Sequence, residues 1–146
     1  MAVFTLFDSV IRDLMNGVID LHADVFKMAL TNVAPDAANN EVFGSITEIA
    51  AGNGYLAGGL TLAGLAVTET GPGTGIWQWF FDDATFTAVG GPIGPFRYVV
   101  VYDFTIAVPL RPLVGFLDYG VSATLANGSR LTVDVGTTGA LQAQEV

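Results

Sequence analysis

The sequence predicts a mainly β fold, a single-domain β-sandwich or jelly-roll-like barrel of about eight strands with one N-terminal helix. Three observations carry that prediction. From Phe96 to Phe104 the chain runs through Phe96, Tyr98, Val99, Val100, Val101, Tyr102 and Phe104, broken only by Arg97 and Asp103, and no other stretch is so strongly β-forming. Short apolar or alternating stretches recur between Gly, Pro and Asn-Gly turns, which is the spacing of strands. Only one segment, residues 5–16, keeps helical spacing. With 146 residues, no internal repeat and no linker-like segment, residues 1–146 are expected to form one domain.

Each element follows from local pattern. In residues 5–16, Phe7, Val10, Ile11 and Leu14 fall on one helical stripe, Thr5 and Asp8 have capping-box form, and Asn16-Gly17 supplies the stop. Residues 25–31 alternate as a strand, with Phe26, Met28 and Leu30 on one face. A polar loop turned by Pro35-Asp36 leads to a short strand within 42–49. Residues 51–59 gather Gly52, Gly54, Gly58 and Gly59 around Tyr55 and predict turns. Strands are expected at 60–68 and, after the flexible loop 69–75, at 76–89 with a kink at Asp82-Asp83. The run 96–104 has apolar groups on both faces and reads as the central strand of a two-layer structure. Strands at 110–118, 121–125 and 130–135 follow, the last two joined through an Asn127-Gly128 turn. The tail from residue 136 is small and polar until Leu141, and its last residues are expected to fray or reach a neighbour.

Composition narrows the function. Hydrophobic residues make up 51% and charged residues 13% of the chain, with a mean hydropathy of +0.55, too apolar for disorder. Subunit contacts are the usual place to bury such an excess, so a homo-oligomer or a component of a larger assembly is expected. The net charge is −9 and the five bases, Arg12, Lys27, Arg97, Arg111 and Arg130, are scattered, which argues against nucleic acid as a partner. No cysteine is present, excluding disulfides, thiolate zinc sites and a cysteine nucleophile. The N-terminus has no basic opening, and Asp8, Arg12 and Asp13 interrupt any apolar core, so no secretory signal is expected. Residues 49–68 carry no charge and hold Gly54 and Gly58 at GxxxG spacing. Five glycines in that stretch and acidic flanks at Glu48 and Glu69 favour a Gly-rich loop and a buried strand over a membrane span.

The residues that could carry chemistry form no familiar constellation. The single histidine, His22, lies between Asp20 and Asp24 without a second histidine to complete a metal site. Ser9, Ser45, Ser122 and Ser129 lie outside any GxSxG elbow. Adjacent Asp82 and Asp83 point to opposite faces if they sit in a strand, so a bulge or turn is the simpler reading. A calcium ion on Asp82, Asp83 or Asp36 would lack EF-hand spacing. Gly71 to Gly75 lacks the Lys-Ser/Thr of a phosphate loop, and Asn127-Gly128-Ser129 reads as a turn rather than a glycosylation site. Trp77 and Trp79 share a strand face and with Tyr55 form the best candidate for sugar stacking, against which plain core packing must be weighed. No enzymatic activity and no cofactor or metal are expected.

Several stretches in order carry a resemblance. They are Phe26-Lys27-Met28-Ala29-Leu30-Thr31-Asn32 with Ala34-Pro35, Ile46-Thr47-Glu48-Ile49 running into Ala51-Gly52-Asn53-Gly54-Tyr55 and Gly58-Gly59, and Gly94-Pro95-Phe96-Arg97-Tyr98 leading to Val101-Tyr102. Pro112-Leu113-Val114-Gly115 with Asp118-Tyr119-Gly120, and Leu131-Thr132-Val133-Asp134, complete the set. In these pieces, spread over nearly the whole chain, the sequence resembles a family of small virion-associated proteins of tailed bacteriophages and prophages. The resemblance implies a non-enzymatic structural protein of the phage particle. The expected role is a head decoration or cement protein on the outer surface of the capsid, made in the host cytoplasm, with the major capsid protein and further copies of itself as partners. Expected assembly contacts are Phe7, Val10, Ile11 and Leu14 of the helix and Tyr55 of the Gly-rich loop. The alternative is a tail- or fibre-associated carbohydrate- or receptor-binding module that stacks ligand on Trp77 and Trp79.

Overall fold

The run of β-branched and aromatic residues becomes the central strand of the main sheet. In the computed structural model, which describes residues 3–136 and 139–144, β7 (Ile93–Asp103) lies in the middle of a five-stranded antiparallel sheet. Its neighbours are β8 (Leu113–Leu125) on one side, with β1 (Phe4–Leu6) beyond it, and β2 (Phe26–Thr31) on the other, with β3 (Leu60–Thr61) beyond. A three-stranded sheet is formed by β10 (Leu141–Gln144), β5 (Ile76–Phe80) and β4 (Ala66–Glu69), and a two-stranded one by β6 (Ala84–Thr87) and β9 (Arg130–Val133). The fold is mainly β and sandwich-like; among the described residues no sheet closes into a barrel.

Both faces of β7 are buried, as its composition requires. Val99 and Val101 lie on the face that packs with Phe26, Met28 and Leu30 of β2, Trp79 of β5, Phe86 of β6 and Val133 of β9. On the opposite face Val100 and Tyr102 join Phe7, Ala29, Phe43 and Leu113, with the Phe43 and Tyr102 rings stacked at 3.9 Å. Strand alternation therefore sends the central strand's side chains into two separate cores.

Several elements differ from the sequence expectation. The helix α1 spans Asp8–Met15, not 5–16, because residues 4–6 pair with β8, Thr5 opposite Phe116. The capping box does not form: Phe7 occupies the N-cap position without a side-chain cap, and the Phe7 and Asp8 amides donate instead to the carbonyls of Val114 and Ala37. The Asn16-Gly17 stop is where the helix ends, with Gly17 at φ 67°. Within 42–49 there is no strand but a 3₁₀ turn at Phe43–Ser45 with single bridges from Val42 to Pro112 and Glu48 to Thr31; the Ser45 hydroxyl and amide both turn back to the Val42 carbonyl, which curls the backbone.

The expected strand at 60–68 divides between two sheets, β3 and β4, and the expected strand at 76–89 breaks into β5 and β6 at Asp82-Asp83. These two breaks meet. Gly64, at φ 66°, packs where a Cβ would fall on the Asp82 carboxyl group, and the Asp82 amide donates to the Ala63 carbonyl. The segments expected at 110–118 and 121–125 form one strand, β8, whose pairing with β7 slips between Asp118 and Ala123. The tail includes β10, paired with β5 from Leu141 to Gln144; the fraying expected of the last residues concerns 145–146, outside the described residues.

Candidate interaction surface

The sequence singled out seven side chains, and the structure separates them into core and surface. Phe7 and Val10 are fully buried, Phe7 on one side of the five-stranded sheet and Val10 in the main core. Leu14 is half-buried against that core. These three cannot be free assembly contacts, because the helix uses its apolar stripe to close its own domain. The outward face of α1 carries Ile11 and Met15 instead, Met15 being 83% exposed. Met15 is one turn beyond Ile11, so its spacing was readable in the sequence.

Tyr55 is also a core residue. Its hydroxyl donates to Glu48 Oε1 at 2.6 Å and accepts from the Leu30 amide at 3.0 Å. The same Glu48 oxygen accepts from the Gly58 amide, and the Tyr102 hydroxyl donates to the Gly58 carbonyl at 2.7 Å. Burial pushes the Tyr55 phenol far above its ordinary range, with the hydrogen bond to Glu48 adding to it, and pushes Tyr102 up to about 12. The Gly-rich loop is thereby pegged to β2 and β7, and its exposed apolar group is the neighbouring Leu56, 71% accessible.

Trp77 and Trp79 share a face of β5 as alternation requires, yet only Trp77 reaches solvent, at 49% exposure. Trp79 is fully buried, edge-on to Phe26 and Phe81 at 4.9 and 5.3 Å, and its indole N–H donates to the Leu21 carbonyl. The expected stacking pair is therefore one exposed ring and one core ring, and Tyr55 does not join them.

The remaining candidates for chemistry are structural or dispersed. Asp20 Oδ1 accepts the amides of His22 and Ala23, and those bonds hold its carboxyl below the usual range. Asp36 does the same for its own loop through Ala38 and Asn39. Asp82 and Asp83 are exposed in the turn between β5 and β6. No group of three or more His, Asp or Glu side chains converges among the described residues. No helix there is long and apolar enough to cross a membrane, and residues 49–68 hold bridges, turns and the short strands instead.

The surface feature that sequence reasoning missed lies at the β7–β8 connection. Residues 104–112 form a hairpin end closed by an Ala107–Leu110 bridge and by the Arg111 amide donating to the Ile106 carbonyl. Val108 and Leu110 at its tip are 87% and 62% exposed. Behind them the exposed Phe104 ring carries Lys27 Nζ at 4.1 Å and the Arg111 guanidinium at 4.7 Å from its centroid. Beneath the same end, Asp103 is fully buried on the main-core face. Its Oδ1 accepts the Thr105 amide at 2.8 Å, while Oδ2 has no hydrogen-bond partner. Burial first, and then the neighbouring Asp24 carboxyl, push the Asp103 pKa up to about 7.

Comparison of the chain with protein-family models, with curated proteins and with solved structures finds no match.

Proposed function

We propose that this protein is a structural component of a tailed-bacteriophage particle, a head decoration or cement protein that binds the outer surface of the capsid and ties neighbouring subunits together. The observation that carries the reading is apolar surface left over after two cores are filled: Ile11 and Met15 on the helix, Leu56 in the Gly-rich loop, Val108 and Leu110 at the hairpin end. Groups of this kind, presented on a rigid β-framework, suit contacts with a repeating partner, where many weak apolar and main-chain interactions add by avidity. Self-association into a small homo-oligomer would engage several such groups at once. The net charge of −9 keeps the remaining surface soluble. The sequence resemblance to phage virion proteins points the same way.

The alternative, a carbohydrate- or receptor-binding module of a tail or fibre, has the exposed Trp77 ring in its favour but not a stacking platform, since Trp79 and Tyr55 are buried. The test is co-sedimentation of the purified protein with purified capsids lacking it. Saturable binding at a simple ratio to the capsid protein, with a raised capsid melting temperature, is expected; no binding, together with quenching of tryptophan fluorescence by cell-wall sugars, would favour the alternative.

A further inference from the structure

Positive charge is scarce in this chain, and most of its bases are distributed singly. Arg12 is paired with Asp13 and Glu41, and Arg97 with Asp118 through two short contacts of 2.7 and 2.9 Å. Lys27 and Arg111 have no carboxylate within ion-pair distance among the described residues. They come from sequence positions far apart, on β2 and after β7, yet both are held over the ring of Phe104. The buried Asp103, next to Phe104 in sequence, forms no ion pair with either. Asp103 pairs with Phe26 across β2–β7, whereas Lys27 pairs with Tyr102, so strand alternation places Lys27 and the Asp103 side chain on opposite faces of the sheet.

Arg111 directly follows the exposed apolar tip, Val108 with Leu110, and shares the Phe104 ring with Lys27. Ring contacts restrict both long side chains before any partner arrives, which lowers the entropy lost on binding. Arg111 keeps a guanidinium fork able to take a carboxylate in two hydrogen bonds. On a protein of net charge −9, a preorganised positive and apolar patch selects a partner that is locally acidic and apolar, since the rest of the surface repels such a partner.

We infer that the β7–β8 hairpin end, with Lys27, Phe104, Val108, Leu110 and Arg111, is the face that docks on an acidic, apolar patch of the major capsid protein. The inference rests on the decoration reading and adds to it the contact face and the chemistry of the capsid site. Carboxylates on the capsid take Lys27 and Arg111, and an apolar recess takes the Val108–Leu110 tip. The helix face and Leu56 are left for neighbouring copies.

The experiment measures binding of the full chain to purified capsids lacking it, for four proteins. These are the native chain, Lys27→Gln/Arg111→Gln, Leu110→Ser, and Arg130→Glu, which makes the same change in net charge as the double variant at an exposed position on β9. Circular dichroism and thermal melting verify that each is folded. The expected result is at least about a ten-fold loss of affinity for the double variant, from two lost charge pairs, and a clear loss for Leu110→Ser. Arg130→Glu is expected to stay within about two-fold, and native binding to weaken as salt rises from about 50 to 500 mM. Native binding with the double variant unaffected, or an equal loss in Arg130→Glu, overturns the docking face while leaving the decoration reading intact. Failure of the native chain to bind capsids removes both.

Discussion

Asp103 and Tyr55 show two fates of a polar group in an apolar strand. Tyr55 satisfies its hydroxyl through Glu48 and Leu30, so its burial fastens a loop. Asp103 is buried with one oxygen unpartnered and Asp24 beside it, so its ionised form is disfavoured in the folded protein. With the folded pKa raised from 3.8 to about 7, the native state holds more protons than the unfolded chain between these values, so stability falls as pH rises through that window and levels off above it. Asp103→Asn keeps the shape and removes the charge. Urea denaturation at pH 8 is expected to show the variant more stable than the native chain by about 1–3 kcal/mol, the difference shrinking or reversing at pH 4. A gain of the same size at both pH values would show that the charge is not the cause. The strongly β-forming context of Asp103 was legible in the sequence; its neighbour was not, because Asp24 reaches it only through the pairing of β2 with β7. The same holds for Trp77 and Trp79, whose shared face is a matter of alternation, whereas their very different burial depends on where the edge of the sandwich falls.

At the scale of elements, sequence periodicity located the central strand, β2, the turn at Asn127-Gly128 and the end of the helix, because these features are set by local propensity and turn chemistry; the Asn127-Gly128 turn, however, leads from β8 to β9 in a different sheet and closes no hairpin. It missed the short β1 before α1, where a tertiary partner on β8 takes residues that would extend the helix, and it joined strands that cross from one sheet to another. Such crossings depend on close approach rather than on hydrophobic period. Gly59 is an example in the Gly-rich loop: it has φ 77°, and a Cβ there would strike the Met28 carbonyl of β2. Gly59→Ala combines a disfavoured backbone conformation with a backbone clash, and is expected to cost at least about 2 kcal/mol in chemical denaturation. Gly73→Ala, also at positive φ but with open space around it, is expected to cost no more than about 1–2 kcal/mol. Equal costs at the two positions would mean that the packing of the loop on β2 is unimportant.

For the whole molecule, the apolar excess of the sequence has a double explanation. One part fills two cores, one on each face of the five-stranded sheet, and accounts for the burial of Phe7, Val10 and Tyr55 that a sequence reading assigned to assembly. The other part stays outside, on the helix, the Gly-rich loop and the β7–β8 hairpin end. The sequence pointed to the helix and the Gly-rich loop but not to which of their side chains stay outside, nor to the hairpin end, since Ile11 and Val10 are adjacent letters of one apolar run and only the docking of α1 separates them. Nor did it show the cationic patch, because the pairing of β2 with β7 brings Lys27, and the turn of the β7–β8 hairpin brings Arg111, to the one Phe104 ring. A decoration role requires that this surface be occupied many times over on one particle. The most direct measurement is therefore the copy number of the protein in purified particles, by quantitative mass spectrometry against the major capsid protein. On the order of hundreds of copies in a simple ratio to the capsid protein are expected, as lattice symmetry and avidity require; a handful, a few dozen or none would contradict a decoration role.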